Sequence, residues 1–261
     1  MVQLRTVNVT RYVTPLREGG SLPAIVEGDD DFLYVLKFRG AGQGVRALIA
    51  ELIGGELARA AGLKVPELVF AEVDPAFGRT EPDEEIQDLL KASAGQNLAL
   101  HYLSGAITYD PAVTPIAPDL ASRIVWLDAL LMNVDRTARN TNMLMWQKEL
   151  WLIDHGAALY FHHADADFSA QAVRPFTQVK DHVLLPAAAQ LEVADSTLRS
   201  LLTPAVVEAV TAQLPSSWLE AGFPGEEPEA MRAAYTRFLN DRIAHSEPFL
   251  KEALHARAAV V

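Results

Sequence analysis

The sequence contains no cysteine, has few basic residues relative to acidic ones, and lacks a long apolar run. Without cysteine, disulfides and thiolate chemistry are excluded. No apolar run reaches the roughly 18 residues that a membrane span needs. The first residues, MVQLRTVNV, lack the basic and apolar regions of a signal peptide. These absences predict a cytoplasmic protein with no membrane span.

The shortage of positive charge limits the partners that the surface can bind. Lys and Arg number 22 against 34 Asp and Glu, and the formal net charge is −12. A surface this acidic repels phosphate backbones, so nucleic acid and anionic membranes are not expected partners. This acidic surface would also repel the phosphates of ATP, so a protein that binds ATP here would need magnesium to offset their charge. With 261 residues, half of them hydrophobic, the chain is long enough to bury a large core.

The densest group of polar residues lies in the stretch 128–156. An apolar segment ending at Asn133 is followed by a polar turn over 135–142 and by two short β-like runs that end at Asp154. Polar groups packed between apolar runs are costly to desolvate unless they bind something. Asp135 and Asn140, five residues apart, followed by a hairpin that delivers Asp154, are typical of a kinase catalytic loop and its metal-binding aspartate.

The motif Asp135-Arg136-Thr137-Ala138-Arg139-Asn140, followed by Ile153-Asp154-His155-Gly156, resembles the HipA-like kinases, which are close to the phosphatidylinositol 3/4-kinases. Those proteins carry D-R-H-x-x-N and then I-D-[HF]-G, and Thr137 stands where the pattern has histidine. The resemblance covers roughly residues 15–215. The chain is shorter than the toxin kinases of this family and shows no counterpart to their extra amino-terminal domain. The resemblance therefore does not imply toxin activity or a DNA-binding antitoxin partner.

The resemblance implies a kinase that uses ATP and Mg²⁺. Asp135 would orient or deprotonate an acceptor hydroxyl, and Asn140 and Asp154 would bind magnesium, with Asn142 competing for the metal. Arg136 or Arg139 would offset charge on the transferred group, or Arg136 would pair with a nearby carboxylate. The implied acceptor is a protein serine or threonine. A small-molecule or lipid kinase and an ATP-binding pseudokinase remain alternatives.

Lys37 interrupts the otherwise apolar run FLYVLKF. A lysine in a buried strand is unfavourable unless its ammonium meets an anion, which predicts a phosphate-contacting lysine; a snorkelling lysine at a sheet edge is the alternative. Residues 43–61 predict an amphipathic helix that ends at Gly62. Of its two glutamates, Glu51 is the predicted partner of Lys37, and Glu56 is the alternative.

Two glycine-containing turns are candidate phosphate loops. Gly19, Gly20 and Ser21 lie between the first two predicted strands, where glycine lets the backbone approach phosphate, and Ser21 is a candidate for self-modification. The turn at 40–44 reads G-x-G-x-G, but Val45 stands where a dinucleotide fingerprint requires glycine. It is interpreted as a linker. His162 and His163 lack the spacing of a zinc site.

The complete pattern predicts an α+β, bilobal, protein-kinase-like fold. A small antiparallel-sheet N-lobe with one helix occupies residues 1–98, and a mainly helical C-lobe occupies residues 99–261. Residues 3–12 are a predicted edge strand, and 97–103 is the predicted hinge, where Leu98, His101 and Tyr102 would contact the adenine. Helices are predicted from Pro118 onward, over 183–189, 195–214 and 229–246, with Pro248 interrupting the last.

Overall fold

The computed structural model describes residues 3–16, 22–77, 83–164 and 166–261. Its strands are β1 (Thr6–Pro15), β2 (Ala24–Gly28), β3 (Leu33–Lys37), β4 (Leu68–Val73), β5 (Gly95–His101), β6 (Ile107–Thr108), β7 (Met143–Trp146) and β8 (Glu149–Leu152). Its α-helices are α1 (Gly44–Ala60), α2 (Glu84–Ala92), α3 (Pro118–Leu131), α4 (Phe168–Ala172), α5 (Leu191–Leu201), α6 (Pro204–Thr211), α7 (Ser216–Gly222), α8 (Pro228–Ala244) and α9 (Glu247–Ala258). In this part of the chain no helix is long and apolar enough to cross a bilayer.

The first five strands close into a barrel in the order β1–β2–β3–β5–β4. All neighbours are antiparallel except β1 and β4, whose parallel pairing over residues 6–8 and 70–72 closes the sheet. The predicted edge strand is therefore wrong in one respect, because β1 has a partner on both sides. Closure removes an edge that would otherwise expose unpaired backbone groups. β6, β7 and β8 form a separate three-stranded sheet.

Alternation along the strands decides which residues fill the barrel and which face the rest of the molecule. Tyr34, Leu36 and Ala99 belong to the cluster inside the barrel. Lys37 lies on the other face of β3, and its register partner on β5 is Leu98. β2 and β3 form a hairpin, in which residues 24–27 pair with residues 33–36.

Helix α1 lies between the barrel and the helical part of the chain, and it is buried on nearly every side. The prediction of an amphipathic helix is therefore wrong, since even Glu51 and Glu56 are buried. Gly62 follows the helix with a φ of +72°, as the sequence predicts. A Cβ at Gly54 would lie 2.6 Å from the Cβ of His155. Glycine here lets α1 approach the segment that carries Asp154.

The helical part begins at Pro118, as the sequence predicts, but its helices have different bounds from the predicted ones. Pro118 occupies the first turn of α3, and Met132, in the left-handed conformation, ends that helix. The predicted helix over 195–214 is two helices, because Thr203 caps α6 and Pro204 begins it. Residues 183–189 contain only a short 3₁₀ turn. Pro248 lies in the first turn of α9, which begins at Glu247, and so does not interrupt a helix.

Arg242 of α8 fixes the end of α3, which is followed by the loop that contains Asp135. Its guanidinium is fully buried and donates hydrogen bonds to carbonyl oxygens at the ends of two helices. The acceptors are Ala129, Leu130, Gln171, Ala172 and Arg174. These are the carbonyls that a helix leaves without an internal partner.

Arg242→Met is expected to lower the free energy of unfolding by about 3–5 kcal/mol, because it leaves several buried carbonyls without donors. Urea unfolding followed by circular dichroism measures the change. Arg237→Met, at an exposed position of the same helix, is the matched control and should change the midpoint little. An Arg242→Met midpoint equal to that of the control would show that water or neighbouring donors satisfy these carbonyls.

Candidate active site

Lys37, Glu51 and Asp154 meet although they lie far apart in the sequence. The Lys37 Nζ atom lies 2.6 Å from Glu51 Oε2 and 2.6 Å from Asp154 Oδ1. Lys37 is the last residue of β3, Glu51 lies in the middle of α1, and Asp154 follows β8. The structure therefore brings together the predicted lysine, its predicted glutamate and the predicted metal-binding aspartate.

The surroundings of Glu51 and Lys37 keep both side chains charged. Burial alone would raise the pKa of Glu51, but the charge of Lys37 and the neighbouring His155 side chain lower it to about 2. The Glu51 Oε2 atom also accepts the backbone N–H of His155 at 2.7 Å. Burial likewise opposes the charged form of Lys37, and the carboxylates of Glu51 and Asp154 outweigh it and raise the pKa of the lysine. The pair is ionised at neutral pH.

Asp154 is exposed enough to reach a ligand. Its side chain is 45% exposed, whereas that of Glu51 is fully buried. The Asp154 backbone has a φ of +56°, in the left-handed region that non-glycine residues seldom adopt. This turn directs the carboxylate towards Lys37 while the ring of His155 enters the core. Strained backbone of this kind clusters at functional sites.

The loop after α3 holds the second part of the site. The Asp135 Oδ2 atom accepts hydrogen bonds from Asn140 Nδ2 at 2.8 Å and from Asn142 Nδ2 at 3.1 Å. Asn140 is exposed and Asn142 is buried. The Asn142 carbonyl accepts the N–H of Ile153 at 3.0 Å, so this loop is joined to the residue before Asp154. The two predicted motifs thus lie side by side.

Arg136 is buried, and Arg139 is exposed. The Arg136 Nε atom lies 2.5 Å from Asp128 Oδ2, and both side chains are almost fully inaccessible. Of the two roles considered for Arg136, pairing with a carboxylate is therefore the one that its geometry supports. A guanidinium held inside the core does not face a phosphate in the cleft.

Most of the predicted hinge is a barrel strand. Residues 95–101 form β5, and the connection to the helical part begins at Tyr102, whose N–H donates to the Leu33 carbonyl at 2.8 Å. Leu98 is buried beside Lys37. The His101 ring lies on the opposite face of β5, in edge contact with the rings of Phe32 and Tyr34.

Strand alternation identifies apolar residues that the motif search missed. Val35 precedes Lys37 by two residues, so it lies on the same face of β3. Its register partners are Ile25 on β2 and Leu100 on β5. These three side chains form an apolar surface next to Lys37. In the sequence, the alternation of side chains along the strand FLYVLKF already places Val35 on the same face as Lys37.

The turn at 40–44, interpreted from the sequence as a linker, borders the space around Lys37. Ala41, Gln43 and Gly44 line a small cavity together with Lys37 and Asp154. A dinucleotide-binding fold is excluded, because that fold needs adjacent parallel strands and both β3 and β4 pair with β5 in antiparallel fashion. Gly19, Gly20 and Ser21 lie outside the described residues.

The histidine pair after Asp154 has other partners. His162 is buried, and its Nδ1 atom lies 2.8 Å from the Tyr235 hydroxyl. Burial lowers the pKa of His162 well below its usual value, which keeps the ring neutral. Among residues 3–16, 22–77, 83–164 and 166–261, no group of three or more His, Asp or Glu side chains is arranged to hold a metal ion.

Solved structures identify the class of fold. A Helicobacter pylori proinflammatory kinase, CtkA, superposes with a TM-score of 0.53 at 13% identity and covers 98% of this chain and 99% of its own. The Golgi casein kinase matches at 0.48 and 12% identity over 98% and 73% of the two chains. The same kinase with Mn/ADP bound gives 0.46 and 13% over 100% and 75%. The CtkA likeness shows a kinase-like fold, and the other two are too weak to add to it.

The family is identified by the sequence. The profile of the HipA-like kinases matches residues 9–244, which is most of the chain. The protein therefore belongs to the HipA-like kinase family and is a kinase, as the two spaced motifs predict. No curated protein matches this sequence.

Proposed function

We propose that the protein transfers the γ-phosphoryl group of ATP to the hydroxyl of a protein serine or threonine. The observation that carries this proposal is the position of Lys37 between Glu51 and Asp154, beside the loop in which Asp135 accepts from Asn140. A lysine that pairs with a helical glutamate, next to a metal-binding aspartate, is the arrangement of an active kinase.

The nucleotide would lie between a barrel lobe and a helical lobe. The boundary predicted at residue 98 falls within β5, a strand of the barrel, so we propose a boundary at the end of that strand, at His101. The apolar surface of Ile25, Val35 and Leu100 suits the flat face of an adenine. Lys37 would contact the phosphates, and the turn at 40–44 would border them.

The residues present fit a magnesium ion. Mg²⁺ prefers oxygen ligands and is usually held by one or two side chains together with substrate phosphates. Asp154 and Asn140 offer a carboxylate and an amide oxygen at accessible positions. Asn142 is the weaker candidate, because it is buried whereas Asn140 is exposed. The bound ion would neutralise charge on the phosphates, which this acidic chain cannot do alone.

Asp135 would receive the proton of the acceptor hydroxyl. The amides of Asn140 and Asn142 both donate to its Oδ2 atom and hold the carboxylate in one orientation. The partly exposed carboxylate remains within reach of an incoming hydroxyl. The Lys37 ammonium donates to the carboxylates of Glu51 and Asp154, and ATP phosphates would share it with them.

Nucleotide binding is tested by measuring thermal unfolding with ATP, with magnesium, and with both. Stabilisation should be largest with both present, because a ligand that binds only the folded state raises the unfolding temperature. Transfer is tested with γ-labelled ATP and two acceptor sets, serine- and threonine-containing peptides and small polyols such as inositol. Labelled peptides support the protein acceptor, and labelled polyols alone would replace it.

Asp154→Ala is expected to remove the effect of magnesium on ATP binding while leaving the fold intact. The side chain is 45% exposed, so its removal creates no buried cavity. Calorimetric titration of ATP with and without magnesium measures the difference. Asp241→Ala, at an exposed position of α8, serves as the matched control. If Asp154→Ala binds Mg-ATP as tightly as the parent, the metal site has been assigned wrongly.

A further inference from the structure

Beneath the catalytic loop lies a buried polar cluster centred on Asp128 of α3, a residue that is 1% exposed. Its Oδ2 atom accepts from Arg136 Nε at 2.5 Å and from His182 Nε2 at 2.9 Å, and its Oδ1 atom accepts from Asn133 Nδ2 at 2.9 Å. Together these side chains form the Asp128 cluster, which consists of Asp128, Asn133, Arg136 and His182. Burial would raise the pKa of Asp128, but the charge of Arg136 and the hydrogen bond from His182 lower it.

The hydrogen bonds of His182 fix its tautomer. Its Nδ1 atom accepts the backbone N–H of Leu184 at 3.0 Å, so this nitrogen carries no hydrogen. The Nε2 atom therefore carries the ring hydrogen and donates it to Asp128. A neutral imidazole with both nitrogens used in this way is a rigid, single-orientation donor to the carboxylate.

The Asp128 cluster controls the backbone that supports the active site. Arg136 donates from its NH1 group to the carbonyls of Asn142 and Ile153. Asn142 in turn donates to Asp135, and Ile153 immediately precedes Asp154. One guanidinium thus contacts the backbone at Asn142, which bonds to Asp135, and at Ile153, which precedes Asp154, and Asp128 holds that guanidinium.

The segment that carries His182 is also attached to the catalytic loop through its backbone. Thr137, which stands where the family motif has histidine, forms an isolated antiparallel bridge with His182. The Val183 N–H donates to the Arg136 carbonyl at 3.1 Å. The imidazole is therefore presented to the loop from a part of the chain 45 residues away from Thr137.

We propose that His182 is a positioning residue for phosphoryl transfer, which orients Asp128 and, through Arg136, the backbone that places Asp135. This inference rests on the proposed function of Asp135. Without the imidazole donor, Asp128 keeps its ion pair with Arg136, so the fold is retained. The carboxylate then loses one of its three side-chain donors and keeps those from Arg136 and Asn133, so its orientation and the position of Arg136 are less firmly fixed. The rate of transfer should fall while the affinity for ATP, which depends on Lys37 and the apolar surface, should not.

Two variants, each of which replaces one of the two ring nitrogens of His182 with an amide atom, distinguish the roles of those nitrogens. His182→Asn keeps an acceptor for the Leu184 N–H but has no donor that reaches Asp128, and His182→Gln keeps a donor near the Nε2 position. His182→Asn should lower kcat roughly 10- to 100-fold with KM for ATP unchanged, a range typical of groups that orient a catalytic residue. His182→Gln should recover most of that loss. His245→Asn, exposed at the end of α8, is the control. The assay is ADP release from Mg-ATP with a serine-containing peptide or water as acceptor.

A second measurement does not depend on turnover. Nitrogen-detected NMR of the folded protein should show the Arg136 Nε–H protected from exchange in the parent and in His182→Gln, and exchanging faster in His182→Asn. If the parent binds Mg-ATP but turns over none, the proposed function fails, and this signal alone decides the inference about His182. Parental kcat in His182→Asn, an unchanged Arg136 signal, or a joint loss of folding and ATP binding in both variants would overturn it.

Discussion

Asp135→Asn is expected to leave ATP bound and to reduce phosphoryl transfer by on the order of 10²–10⁴-fold. The amide is nearly the same shape as the carboxylate but is a poor proton acceptor, so the acceptor hydroxyl would not be activated. Asp135 is partly exposed, and its side chain makes hydrogen bonds only within its own loop in the described structure. The substitution should therefore leave the free energy of unfolding close to that of the parent.

The measurement combines calorimetric binding of Mg-ATP with transfer from γ-labelled ATP on one preparation of the variant. Asp88→Asn, whose side chain is 79% exposed on α2, controls for the loss of one negative charge. Loss of ATP binding together with transfer would mean that Asp135 is a structural residue of the loop. Transfer at the parental rate would remove Asp135 from the mechanism altogether.

The parts of the site that could be predicted are those whose signal is local. Lys37 is a single cation in an apolar strand, and Asp154 follows a short apolar strand directly. Asp135 and Asn140 lie five residues apart in one loop, and the Asn140 Nδ2 atom lies 2.8 Å from Asp135 Oδ2. In each case burial and backbone direction over fewer than ten residues decide where the polar group points.

The features that could not be predicted depend on contacts between distant segments. Glu51 and Glu56 are both buried in α1, so periodicity could not choose between them, and the choice of Glu51 rested on its place in the helix. The run NLALHYL is apolar throughout, which fits a barrel strand as well as a hinge. His182 reaches Asp128 only through the packing of the helical part, and no motif surrounds it.

Lys37→Met is expected to affect stability and nucleotide binding together, because Glu51 is fully buried and would lose its cation. Breaking a buried ion pair from one side typically destabilises a protein by about 3–5 kcal/mol. The pKa of Glu51 is lowered to about 2 from 4.5, so its contribution is present above pH 4.5 and is lost as the pH falls towards 2. The raised pKa of Lys37 places the loss of its contribution at high pH. Stability should therefore be compared at pH 7, where both groups are charged.

The double variant Lys37→Met/Glu51→Gln separates the two effects. Replacing the carboxylate with a neutral amide removes the buried, unpaired charge, so most of the lost stability should return. Affinity for ATP should not return, because the ammonium proposed to contact the phosphates is still absent, whereas adenosine should bind both variants about as well as the parent. Urea unfolding gives the stabilities, and calorimetry with ATP and adenosine gives the affinities.

The matched control for this experiment is Lys64→Met. Lys64 also forms an ion pair, with Glu149 at 2.9 Å, but both side chains are about half exposed. Such surface pairs contribute about 0–1 kcal/mol, so this variant should unfold close to the parent and bind ATP normally. Equal losses of ATP and adenosine affinity in Lys37→Met/Glu51→Gln would show that Lys37 shapes the barrel without touching phosphate. Failure of Glu51→Gln to restore stability would instead point to the Lys37–Asp154 contact as the dominant interaction.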